Sequence, residues 1–78
     1  MTLLSLLPGQ QGLVHRVGIS GPVGARLAEM GLVPGATVRV VRLAPLGDPV
    51  AIQVQGFELA LRKRDAVRVE IDGEGFDA

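Results

Sequence analysis

Two runs of alternating apolar residues, Val50/Ile52/Val54 and Phe57/Leu59/Leu61, change parity across Gln55-Gly56. A straight strand through both runs would send half of these side chains into water, because successive residues point to opposite faces. A two-residue hairpin loop at Gln55-Gly56 instead puts both runs on one face. It pairs Val54 with Phe57, Ile52 with Leu59 and Val50 with Leu61. The chain is therefore expected to build around an antiparallel hairpin, with its other segments covering the apolar face.

Those segments read as further short strands and one helix. Gly12–Ile19 is a strand candidate with imperfect alternation: Leu13, Val17 and Ile19 share one parity and Val14 takes the other, which fits a bulge or a strand covered on both faces. Ser20-Gly21-Pro22 opens a helix, with proline tolerated at its first turn. Val23, Leu27 and Met30 form one apolar stripe at helical spacing. Gly31 ends the helix in the left-handed conformation, and Pro34-Gly35 makes a type II turn. Gly24 costs that helix about 1 kcal/mol relative to alanine, so it must lie against the strands. Ala36–Leu43 is the next strand, Arg62-Lys63-Arg64-Asp65 a polar corner with room for a single helical turn, and Val67/Val69/Ile71 the last strand. The expected fold is mainly β: a small SH3-like barrel of about five strands, with one short helix inserted between the first and second strands. Residues 1–72 form the single domain and 73–78 a flexible, fraying C-terminal tail.

The 78 residues carry no cysteine, which excludes disulfides and thiolate metal sites. The core has to come from Val, Leu, Ile and Ala, since Phe57 and Phe76 are the only aromatics. Apolar burial in so short a chain barely exceeds the ordering entropy, so a homo-oligomer or another partner would help stabilise it. Eight basic side chains cancel eight acidic ones. Nucleic-acid binding normally rests on excess positive charge and exposed aromatics. A ribosome-associated barrel, whose opening Gly12-x-Val14-x-x-Val17 resembles, is therefore disfavoured, and no nucleic-acid partner is expected. No segment approaches the ~20 apolar residues needed to span a bilayer, so no direct membrane insertion is expected. Met1–Pro8 lacks the basic start of a signal peptide. Met1 and the short lead into the first strand are those expected of a complete chain. Enzyme chemistry lacks parts: there is no cysteine nucleophile and no G-x-x-x-x-G-K-[ST] phosphate loop.

The loop Ala44-Pro45-Leu46-Gly47-Asp48-Pro49 is stiffened by two prolines. Leu46 at its tip either presents an apolar side chain for docking, at little entropic cost, or folds back to plug one end of the barrel. Arg26 and Glu29, three apart on the helix, either pair with each other for a few tenths of a kcal/mol or meet a partner. His15 is the only histidine. A two-His-one-carboxylate ferrous site needs two imidazoles, so His15 is either an ordinary strand residue or a ligand completed across an oligomer. Glu29, Asp48, Glu58 and Asp65 show no ligand spacing.

The stretch Arg26-Leu27-Ala28-Glu29-Met30-Gly31-Leu32-Val33-Pro34-Gly35, followed by Ala44–Pro49, resembles the FeoA family in order and spacing. FeoA proteins are small cytosolic companions of the bacterial ferrous iron transporter FeoB. The resemblance runs from about Leu6 to Ile71 and implies the same SH3-like fold. It further implies a cytoplasmic, non-enzymatic accessory of ferrous iron uptake and iron homeostasis, a protein-interaction module on the cytosolic part of a FeoB-type transporter. The partner-binding residues would be Arg26, Glu29, Leu46 and Asp48, and a divalent transition metal, ferrous iron, is the cofactor the family brings into question. The alternative is a metal-sensing SH3-like regulatory domain related to that of iron-dependent repressors. Those carry a similar small barrel but also need a DNA-binding segment, which is not found in this sequence.

Overall fold

The hairpin at Gln55-Gly56 is present in the register expected from the parity switch: Val54 pairs with Phe57, Ile52 with Leu59 and Val50 with Leu61. Gln55 (φ 50°) and Gly56 (φ 83°) both take positive φ, the combination that matches the twist of the flanking strands. The computed structural model describes residues 1–77, with side chains described as far as Asp72. Its strands are β1 (Gln10–Val17), β2 (Thr37–Leu43), β3 (Val50–Val54), β4 (Phe57–Leu61) and β5 (Val69–Asp77). They form one antiparallel sheet in the order β4-β3-β2-β1-β5. Helix α1 (Gly21–Glu29) separates β1 from β2, and α2 (Lys63–Ala66) is a single turn between β4 and β5.

The irregular alternation of β1 is a bulge. Val14 pairs with Ile71 and Arg16 with Glu70, so His15 is the extra residue. Val14 is buried and Leu13 exposed; past the bulge Val17 returns half-buried opposite the buried Val69. The core consists of Val38, Val40, Val50, Ile52, Val54 and Val69, with Leu27, Leu32, Leu61 and Ile71 around them. Burying each such side chain contributes about 1.5–3 kcal/mol.

The fold is the expected SH3-like one, with three differences in detail. Its ladder of strands is left open: among the described residues no pairing joins β4 to β5. The N-terminus takes up the β5 side of this opening. Thr2 bridges Glu70, the Ile71 N–H donates to the Met1 carbonyl at 2.8 Å, and Leu3, Leu6 and Ala66 are buried there. Along β4 exposure rises toward the hairpin: Leu61 is buried, but Phe57 is 53% exposed although its partner Val54 is buried. Secondly, 73–77 does not leave the sheet as a tail. The backbone continues β5, with Phe76 opposite Gln11 and Asp77 opposite Gln10 after a shift in register; Ala78 lies outside the described residues. Thirdly, the stripe on α1 is not continuous. Only Leu27 is buried, and Val23 is 54% exposed. The first turn of α1 folds back onto the chain that enters it rather than onto the sheet. A Cβ on Gly24 would lie 1.9 Å from the Ile19 carbonyl oxygen, so glycine permits this close approach.

The end of α1 follows from its sequence. Gly31 has φ +99°, its N–H donates to Ala28 C=O at 3.0 Å, and the Leu32 N–H donates to Leu27 C=O at 3.0 Å. This double closure of the last turn brings Leu27 and Leu32 together in the core, the hydrophobic contact that accompanies such a stop. At the next turn Gly35 has φ +92° and the Ala36 N–H donates to Val33 C=O at 3.0 Å.

Candidate functional site

The Ala44–Pro49 loop joins β2 to β3 and is closed at its base, where the Ala44 N–H donates to Pro49 C=O at 3.1 Å. The Gly47 N–H donates to Ala44 C=O at 2.8 Å, which sets a tight turn over Pro45–Gly47. Leu46 sits in that turn at φ 67°, ψ 10°, a left-handed conformation for a residue with a branched side chain. Its side chain is fully exposed (100%). Leu46 therefore does not plug the barrel.

Asp48 ties this loop to the next element. Its Oδ1 accepts a hydrogen bond from the Lys63 N–H at 3.0 Å, and the Arg62 guanidinium stands 3.9 Å away. Lys63 opens α2, so Asp48 satisfies a donor that the first turn of that helix leaves free. Loop and α2 are thereby held as one unit.

Beside the loop lies an apolar cleft of about 190 Å³. Leu3, Leu4, Leu6 and Leu7 form one wall, Leu43, Gly47 and Val50 the other, and Lys63 stands among the lining residues. Leu7 and Leu43 are exposed, as is Leu46 at the tip of the loop. The leucines of the N-terminal segment are cleft residues that sequence reasoning missed. Their signal was the i, i+3 spacing of Leu3/Leu6 and Leu4/Leu7, which one tight turn at Leu3–Ser5 turns into two faces. Leu3 and Leu6 are buried in the core and Leu4 packs against it, while Leu7 is exposed; all four reach the cleft.

Arg26 and Glu29 are exposed on α1, and among the described residues no ion pair within 4.0 Å involves either. They do not share a surface with Leu46 and Asp48. The helix that carries them ends at Gly31 against Gln55, at the far end of β3 from the loop. The five residues of β3 separate the two regions by roughly 13 Å at ~3.3 Å per residue.

His15 is exposed at the β1 bulge. Beside it, Arg16 Nε donates to Glu70 Oε2 at 2.7 Å. This hydrogen bond and the guanidinium charge hold the Glu70 carboxyl below the usual carboxylate range, with smaller help from His15 and the N-terminus. Among the described residues no group of three or more His, Cys, Asp or Glu is placed to hold a metal ion. Among the described side chains, His15 thus has no companion set of ligands. No helix among the described residues is long and apolar enough to cross a membrane.

A stiff loop with an apolar tip, an adjoining apolar cleft and a half-open five-stranded sheet make a small SH3-like domain. Residues 1–72 match the FeoA domain model, and the chain belongs to the FeoA family. It is 39% identical over 72 residues to the Fe(2+) transport protein A/Fe(2+) transporter FeoB fusion protein of Porphyromonas gingivalis, covering 92% of this chain and 8% of the fusion protein. The solution structure of FeoA from Chlorobium tepidum matches with a TM-score of 0.85 and 34% identity, over 99% of this chain and 70% of that one. The crystal structure of Stenotrophomonas maltophilia FeoA, complexed with zinc and described as a prokaryotic SH3 domain protein, matches with a TM-score of 0.79 and 36% identity. That match covers 92% of this chain and 89% of the other. The likeness to IdeR of T. acidophilum, at 24% identity and a TM-score of 0.73, shows a shared fold alone.

Proposed function

We propose that this chain is a cytosolic accessory of ferrous iron uptake that docks on the cytosolic part of a FeoB-type transporter through the Ala44–Pro49 loop and the adjoining cleft. The observation that carries the reading is covalent: in the P. gingivalis relative, a segment similar to 92% of this chain is fused to FeoB. Domains joined in one polypeptide act at high effective concentration, and separate chains of the same kind need a surface to replace the linker. The loop supplies one. Leu46 is fully exposed on a backbone held at its base and clipped to α2 by Asp48, so little freedom is lost when it docks.

The test is binding of the purified chain to the soluble domain of a FeoB-type transporter, with single substitutions at the two separated surfaces. Leu46→Asp removes binding if the loop is the contact, while Glu29→Lys reports independently on α1. Full-strength binding by a folded Leu46→Asp variant would overturn the loop assignment, and loss with Glu29→Lys alone would move the contact to the helix.

A further inference from the structure

β4 is the uncovered edge of the sheet. At the other edge, Met1 and Thr2 already engage β5 at Glu70 and Ile71. Along β4, β3 is the one element packed over its length among the described residues. The hairpin register fixes which backbone groups remain free. Phe57, Leu59 and Leu61 face Val54, Ile52 and Val50 in hydrogen-bonded pairs, so the N–H and C=O groups of Glu58 and Ala60 point away from β3. None of these four groups has a backbone partner elsewhere in the described chain. The β3–β4 register is unbroken by any bulge, and the edge carries no proline, so two of the usual devices against strand addition are missing.

The composition of this edge decides what fits it. We infer that β4 pairs antiparallel with β4 of a second copy of this chain, centred on Leu59, to give a continuous sheet across a two-fold axis. In that register Glu58 lies opposite Ala60 of the second copy on both sides of the axis, and their outward groups exchange four hydrogen bonds. Leu59 meets Leu59, and the half-exposed Phe57 lies opposite Leu61. A register centred on Glu58 sets two carboxylates face to face. One centred on Ala60 runs past Leu61 into Arg62 and α2, where the strand has ended. Only the Leu59 register uses the whole of β4. Charge does not oppose it, since Glu58 is already held by Arg42 at 2.6 Å, reaching over Ala51 on the outer face of the sheet.

The test uses the absence of cysteine in this chain. In Leu59→Cys the only thiol sits on the proposed axis, with its counterpart about 4.5–5.5 Å away between Cβ atoms. The wild-type chain should sediment as a concentration-dependent monomer–dimer. Under mild oxidation Leu59→Cys should form a covalent dimer at least ~10-fold faster than Leu46→Cys, a fully exposed control. Ala60→Pro removes a donor that the monomer does not use and should weaken the dimer roughly 30-fold, one hydrogen bond being lost from each copy. A monomer at every concentration, equal cross-linking of the two thiols, or a folded Ala60→Pro chain that dimerises with wild-type affinity would each overturn the inference. The last would show that another face pairs the copies. If Ala60→Pro does not fold, the comparison of thiols decides.

Discussion

The side chain of Gln55 lies across the backbone of Gly31, so that a Cβ on Gly31 would sit 2.2 Å from Gln55 Cγ and 2.8 Å from Gln55 Cβ. Two features with separate local causes, the stop of α1 and the mirror-image turn between β3 and β4, are thus fitted to one another. Gly31 serves twice: it supplies φ +99° for the helix stop, and it leaves room for a side chain from the other end of the fold.

Gly31→Ala should therefore cost more than the ~1 kcal/mol expected of a left-handed alanine alone. A loss of about 2–4 kcal/mol in urea unfolding is the expectation, since the second component is steric. Adding Gln55→Gly removes the clashing atoms and relieves the positive φ at position 55, so the double variant should recover more than half of the loss. Purely additive effects would show that the two sites do not touch.

The hairpin, the helix stop and the Pro34-Gly35 turn were legible in the sequence because each rests on neighbours in the chain: a parity switch, a glycine after an apolar stripe, a proline–glycine pair. The exposure of Phe57 was not legible. It depends on what lies over that end of β4, and alternation reports which face a residue takes but not whether that face is covered. The same limit hid the outward Val23 and the return of 73–77 to β1. On the candidate site, the stiffness of the Ala44–Pro49 loop followed from its prolines, but the choice between plug and protruding tip for Leu46 did not. The opposing wall of the cleft was missed altogether, because Leu3–Leu7 lies some forty residues away in sequence.

Asp48 shows how far a surface carboxylate can act. Asp48→Ala leaves the Lys63 N–H without its acceptor, and losing a cap of this kind costs about 0.5–2 kcal/mol. Because the same atom holds the loop to α2, amide hydrogen exchange should speed up at both Gly47 and Lys63. Exchange confined to one of them would mean that loop and helix are not a single unit.

The pH response follows from Glu70. Its folded-state pKa is lowered, chiefly by the hydrogen bond from Arg16 and then by that residue's charge. A depressed carboxylate adds stability that is fully present above its unfolded pKa of ~4.3 and is lost as pH falls through the lower folded value. Both side chains are largely solvated, so the effect should be small and screened by salt. Chemical-shift titration should place Glu70 below the usual carboxylate range, and Arg16→Ala should move it upward. A Glu70 titration unaffected by Arg16→Ala would contradict the pairing.

Ferrous ion titrated anaerobically into dilute, monomeric chain should give no saturable one-to-one binding, since His15 lacks a companion set of ligands among the described residues. If imidazoles from two copies share an ion, the stoichiometry is one ion for two chains, appears only at high protein concentration, and disappears with His15→Gln. One-to-one binding that survives this substitution would place a metal site elsewhere in the chain.

Leu46 provides the sharpest separation of stability from docking. A leucine at φ 67° carries strain of about 1–2 kcal/mol, and its fully exposed side chain recovers nothing from burial. Left-handed strain of this kind persists where it serves a contact. Leu46→Asn places a residue that tolerates this backbone at the same position and should raise stability by up to about 1 kcal/mol. The same change removes an apolar tip whose burial at a partner is worth about 1.5–3 kcal/mol, so binding to the transporter's cytosolic domain should weaken roughly 10- to 100-fold. Opposite signs from one substitution, read by thermal unfolding and by binding, are what a docking residue predicts. A variant that gains stability and binds as before would show that the strain at Leu46 has another cause.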